Sequence, residues 1–94
     1  MATQLMELPS ADTPLYDHAL PALEQWLGEL GCQQDRQGRH RWYWQGNGWQ
    51  AELRLEVEVL AVRYEPTTGG SSTERSFQYS LSRADVEAAI FAGP

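Results

Sequence analysis

The 94-residue chain contains a single cysteine, Cys32, and no lysine. One cysteine excludes an internal disulfide and cannot alone anchor a cysteine-based zinc site. It suits a reducing compartment. No apolar run approaches the ~20 residues that cross a bilayer, so no membrane insertion is expected. Residues 1–14 lack both a basic start and an apolar stretch, unlike a secretory signal, and the expected location is cytoplasmic. Bases are missing from residues 1–35, which carry six acids: Glu7, Asp12, Asp17, Glu24, Glu29 and Asp35. All seven bases are arginines, beginning at Arg36. The net charge of −6 and pI of 4.7 oppose general nucleic-acid binding, which needs a basic footprint to displace counterions. They also oppose docking on anionic lipid.

What remains is an ordinary globular composition, 41% hydrophobic and 21% charged. The length fits one domain with a modest core. Residues 1–16 read as a flexible N-terminal tail, because Pro9, Ser10, Asp12, Thr13 and Pro14 favour turns and no apolar period runs through them. Leu5, Met6, Leu8, Leu15 and Tyr16 are the residues able to pin it to the body. Residues 17–94 then form a single α+β domain.

A helix is expected over residues 18–30, with Leu20, Leu23, Trp26, Leu27 and Leu30 as its apolar stripe. Asp17 would cap it, and Gly31 would end it as a left-handed residue. The period then changes to two. His40, Trp42 and Trp44 share one face of a strand at 40–45; Trp49, Ala51, Leu53 and Leu55 share one face of the next. Asn47-Gly48 between them suits a two-residue type I′ loop. That loop pairs Trp44 with Ala51, Trp42 with Leu53 and His40 with Leu55, putting every apolar residue on one side. A three-residue loop would set Trp44 against Gln50.

After Val59 the alternation shifts to Leu60, Val62 and Tyr64, which marks a tight turn at 56–59 or a bulge. Pro66 to Ser72 forms a loop, and Phe77, Tyr79 and Leu81 point inward from a strand at 74–81. Ser82 and Asp85 make a capping box for a last helix buried through Val86, Ala89 and Ile90. The fold class is α+β in the order α-β-β-β-β-α, an antiparallel meander with both helices packed on one face.

Few residues suggest chemistry. Cys32 and His40 could pair as nucleophile and base, but Cys32 follows a helix C-terminus, whose dipole disfavours a thiolate. His18 and His40 with Asp17 and Asp35 lack metal-ligand spacing, and His40 reads as an edge-of-core residue. Glu52, Glu56 and Glu58 occupy alternate outward positions, as a solvated strand face would. Gly69-Gly70-Ser71-Ser72 lacks the lysine and helix of a phosphate loop. No residue set calls for a cofactor. The outer sheet face is more informative. It should present Arg41, Tyr43, Gln45, Gln50, Glu52, Arg54, Arg63 and Gln78, and arginine and tyrosine are enriched in binding hot spots. An ordinary solvated face is the simpler reading. A candidate partner-binding face then comprises Arg41, Tyr43, Gln50, Arg54, Arg63 and Gln78.

Four stretches together resemble a known family: Ala11-Asp12-Thr13-Pro14-Leu15-Tyr16, Leu27-Gly28-Glu29-Leu30-Gly31-Cys32, Trp49-Gln50-Ala51-Glu52-Leu53, and Arg75-Ser76-Phe77-Gln78-Tyr79-Ser80-Leu81-Ser82-Arg83. It is a family of small proteins of cyanobacteria and plastids, classed as a domain of unknown function, and the likeness covers about residues 10–94. The resemblance implies a soluble protein of photosynthetic lineage with an accessory role near photosynthesis or plastid gene expression. It brings no activity, cofactor or catalytic residue. The expectation is a non-enzymatic accessory or interaction protein that binds an unknown protein partner. A small RNA-binding module of helix-sheet-helix type is the alternative, since one sheet face with an aromatic and arginines is also how single-stranded RNA is read.

Overall fold

A computed structural model describes residues 8–46 and 48–93. A 3-10 turn, Leu15–Asp17, leads into helix α1, Leu20–Glu29. Five strands follow: β1 Gln33–Gln34, β2 Arg41–Gln45, β3 Trp49–Leu55, β4 Val59–Pro66 and β5 Thr73–Gln78. Helix α2, Arg83–Phe91, closes the chain. The strands form one antiparallel meander in the order β1-β2-β3-β4-β5. The α+β meander is as expected, with one more strand. β1 is two residues long and carries no apolar alternation, so nothing in its sequence marks it.

The hairpin register follows from burial. Trp42 pairs with Leu53 and Trp44 with Ala51, and the Leu55 N–H donates to the His40 carbonyl at 2.9 Å. Gly46 N–H donates to Trp49 O at 2.9 Å, closing the two-residue loop. Gly48 takes φ +83°, the left-handed region that glycine enters without a Cβ penalty; Asn47 lies outside the described residues. At the phase shift, Glu56 N–H donates to Val59 O at 3.0 Å. A tight turn at Val57-Glu58 therefore separates β3 from β4, rather than a bulge. Glu56 and Glu58 stand in this turn and not at alternating strand positions.

The inner face stacks Trp42, Leu53 and Val62 in one row, Trp44, Ala51 and Tyr64 in the next, and Leu55, Leu60 and Phe77 in a third. Ala22, Leu23, Trp26 and Leu27 of α1 and Val86 and Ile90 of α2 bury themselves with them. Complete burial of a side chain such as Leu53 contributes about 1.5–3 kcal/mol. Trp42 is buried and Trp44 and Trp49 are half-buried, so the tryptophan run is largely core. Polar ends of the aromatics tie the layers together. Trp44 Nε1 donates to the Leu30 carbonyl at 3.1 Å, Tyr64 Oη to Ile90 O at 2.8 Å, and Trp26 Nε1 to Glu87 Oε1 at 2.9 Å. Sheet side chains thus donate to carbonyls at both helix ends, where intrahelical donors run out; Ile90 O also accepts from Gly93 N–H at 3.2 Å.

Several local expectations are corrected. α1 starts at Leu20 after Ala19, with no side-chain cap, because Asp17 is taken up in the 3-10 turn. Leu20, expected in the apolar stripe, is exposed. His40 is exposed in the turn before β2 rather than at the core edge. β5 ends at Gln78, so Tyr79 and Leu81 belong to the following turn, and Leu81 is partly exposed. The segment read as a tail is docked where it is described. Leu15 is buried, and Leu15 N–H and Tyr16 N–H donate to the carbonyls of Leu81 (3.0 Å) and Tyr79 (2.9 Å). Leu5 and Met6 lie outside the described residues.

The same segment completes the start of α2. Arg83 N–H donates to Thr13 O at 3.1 Å and Ala84 N–H to Ala11 O at 2.9 Å. Ser82 Oγ accepts from Asp85 N–H at 3.2 Å, as a helix cap should. The first N–H groups of α2 are thereby paired, two of them by a segment some seventy residues away in sequence.

Candidate functional site

The outer sheet face is built by the residues between the core positions. One row across the sheet reads Gln33, Tyr43, Glu52, Arg63 and Glu74; its neighbours read Arg41, Arg54, Ala61 and Ser76 on one side and Gln45, Gln50 and Glu65 on the other. Charges alternate in the first row, Glu52, Arg63 and Glu74, whereas Arg41 and Arg54 are cross-strand neighbours and find their carboxylates outside their own row. Arg41 lies 3.8 Å from Asp35 and 3.6 Å from Glu52. Arg54 lies 3.8 Å from Glu52, 3.9 Å from Glu56 and 3.6 Å from Glu74. Arg63 lies 3.4 Å from Glu65, whose other oxygen accepts from Gln50 Nε2 at 3.5 Å. Exposed pairs of this kind contribute at most about 1 kcal/mol each. Their consequence is orientation: the Arg41 and Arg54 guanidiniums are each held between carboxylates from different segments of the chain.

Tyr43 is the large apolar group of the face, 40% exposed. Its hydroxyl donates to Asp35 Oδ2 at 2.6 Å. That bond, with the Gln37 N–H donated to Oδ1 at 2.7 Å, holds the Asp35 carboxyl below the usual carboxylate range. The same bond makes the Tyr43 hydroxyl harder to ionise. Asp35 precedes the 36–40 loop and Tyr43 sits in β2, so the contact pins that loop to the sheet.

A groove of about 530 Å³ opens in this face. Its polar lining is Gln33, Tyr43, Gln45, Gln50, Glu52, Arg63 and Glu65. Three of the six expected site residues, Tyr43, Gln50 and Arg63, line it. Arg41 and Arg54 flank it in the adjacent row. Gln78 does not join them: it pairs with Val59 at the opposite end of β5. Alternation assigns a residue to a face but not to an end of that face. Gln33 escapes sequence reasoning because β1 does.

The remaining candidates stand apart. Cys32 is buried, and burial pushes its thiol up to about 11. Such a thiol stays protonated and unreactive near neutrality. His18 is buried with Nδ1 3.0 Å from Pro14 O, while His40 is exposed. Among the described residues, no three His, Cys, Asp or Glu side chains gather to hold a metal ion, and no helix is long and apolar enough to cross a membrane.

No curated protein and no solved structure matches the chain significantly. A family model described as "Protein of unknown function (DUF3143)" matches residues 30–93. That span runs from the end of α1 through the whole sheet and α2, and so includes the groove and every residue flanking it. The chain belongs to this family, DUF3143.

Proposed function

We propose that the chain is a non-enzymatic accessory protein that binds a protein partner in the groove on its outer sheet face. The carrying observation is the groove's make-up. A partly exposed tyrosine is surrounded by three glutamines and by charges already paired with one another. Amide groups and oriented ion pairs suit the hydrogen-bonding rim of a protein interface, and the tyrosine suits its anchor. The face carries the carboxylates of Asp35, Glu52, Glu56, Glu65 and Glu74 against the guanidiniums of Arg41, Arg54 and Arg63. An acid excess of this kind favours a protein over RNA, whose phosphates need unpaired cations. The sequence resemblance to cyanobacterial and plastid proteins supports a photosynthetic setting. A free, buried Cys32 fits the reducing conditions of the cytoplasm.

Tagged wild-type chain and the Tyr43→Ala/Arg63→Ala double variant are to be compared by capture from native lysate with quantitative mass spectrometry. Wild type should retain a protein that the variant loses. An identical protein set for both would refute the groove as the binding site. A mobility-shift assay at low salt tests the RNA alternative, and a salt-sensitive shift of single-stranded RNA would favour it.

A further inference from the structure

A second cleft, of about 240 Å³, lies where the 3-10 turn and the start of α1 meet the end of β3 and the turn after β5. Its walls are Leu15, Tyr16, Leu20, Leu23, Leu55 and Tyr79, with only His18 and Glu56 as charged or imidazole side chains. Large apolar side chains gather at its rim. Tyr16 is 64% exposed, Leu20 57%, and Val57, next to Glu56, 96%. Leu81, which accepts the Leu15 N–H, is also exposed. Of the large exposed hydrophobics among the described residues, Tyr16 and Leu20 line the cleft itself, and Val57 follows its Glu56 in the chain.

His18 is buried, its relative exposure being 6%. Nδ1 faces the Pro14 carbonyl at 3.0 Å, and a carbonyl can only accept, so Nδ1 carries the proton. Nε2 then has no hydrogen of its own in that tautomer, and among the described residues it is buried without a hydrogen-bond partner. Buried polar groups are normally paired, and an unpaired one in a wall is a site awaiting a donor. The rim is acidic. Glu56 lines the cleft, Asp17 sits between Tyr16 and His18, and Glu58 shares the hairpin tip with Val57. Among the described residues, Arg54 is the arginine paired with Glu56, at 3.9 Å, and it is shared with Glu52 and Glu74. Among the same residues, Asp17 and Glu58 make no ion pair.

We propose that this cleft docks an aromatic anchor of a partner protein, a tryptophan or tyrosine flanked by lysine or arginine. The cleft is smaller than the roughly 300–1,000 Å³ of small-molecule sites and suits one ring. The ring's N–H or O–H supplies the donor that His18 Nε2 lacks. The basic flanks answer Asp17, Glu56 and Glu58. Nε2 is closed off from solvent, so docking requires the side chains that cover it to move. The site is separate from the outer-face groove and does not depend on it.

Isotope-labelled full chain is to be titrated with the tripeptides Lys-Trp-Lys, Glu-Trp-Glu and Lys-(1-methyl-Trp)-Lys and followed by NMR. Lys-Trp-Lys should shift the signals of Leu15, Leu20, Leu55 and Tyr79 and the His18 Nε2 nitrogen. Reversing the flanking charge, or methylating the indole nitrogen, should each weaken binding about fivefold, the effect of roughly 1 kcal/mol. Leu20→Ser, at an exposed position, should weaken binding while leaving the rest of the spectrum unchanged. Tyr43→Ala should have no effect, which separates this site from the groove. No shift at millimolar peptide, equal affinity for all three peptides, or shifts centred on Tyr43 would each overturn the proposal.

Discussion

Adding one methyl group at each of two glycines should have opposite effects. Gly46 precedes the β2–β3 loop with a φ outside the left-handed region, so its backbone accepts alanine. Space does not. A Cβ there would stand 2.2 Å from Trp44 Cζ3, 2.6 Å from Cη2 and 3.3 Å from Trp49 Cε2. The Trp44 ring must move, yet it is held by Trp49 at 4.8 Å, by Phe91 at 4.9 Å and by its hydrogen bond to the Leu30 carbonyl. Overpacking of this sort costs about 1–3 kcal/mol. Losing the bond to Leu30 adds about 1 kcal/mol. For a domain of this size, each 1 kcal/mol lowers Tm by about 4–8 °C. At Gly28, in α1, an added Cβ would meet nothing within 4 Å. Gly28→Ala should therefore stabilise by about 0.5–1 kcal/mol, the helix-propensity gain. Urea denaturation of both variants, with hydrogen exchange at the Trp44 indole N–H, measures the contrast. A neutral Gly46→Ala with an unchanged Trp44 indole would refute the packing of the tryptophan layer.

Further outcomes follow from single contacts. Ser82→Ala removes the side-chain acceptor of Asp85 N–H and should cost about 1 kcal/mol in urea melts. Cys32 should resist thiol reagents at pH 8 in the native chain and react on denaturation. Its thiol lies near 11 when folded against 9.0 for a free thiol, so the unfolded chain loses the proton first as pH rises. The associated stability is present below pH 9 and is lost between pH 9 and 11, roughly 1–3 kcal/mol in equilibrium unfolding. Cys32→Ala should flatten that part of the pH profile. Tyr43→Phe removes the hydroxyl that holds Asp35 down, so the Asp35 carboxyl should titrate closer to the ordinary range by NMR.

The parts of the fold legible in the sequence are those where burial and turn chemistry agree. Trp42, Trp44, Leu53 and Leu55 allow only one register across Asn47-Gly48, because a one-residue slip would turn Trp44 onto Gln50. The illegible parts are held by contacts that leave no apolar alternation in the sequence. β1 carries two glutamines and no pattern. The docking of residues 11–16 rests on main-chain bonds to Leu81, Tyr79 and the α2 start, which no side-chain alternation reports. Tyr43, Gln50 and Arg63 could be assigned to one face from alternation. That they border a groove with Gln33 and Glu65 depends in part on the extra strand β1, which pattern does not encode.

Binding in the groove is tested most directly in living cells. A photo-crosslinking residue replaces Tyr43 in the groove, with Thr67, exposed at the β4–β5 loop, as the control position. The expected result is a discrete protein adduct from position 43 that is missing from position 67. RNA adducts, or the same adducts from both positions, would contradict a protein partner in the groove.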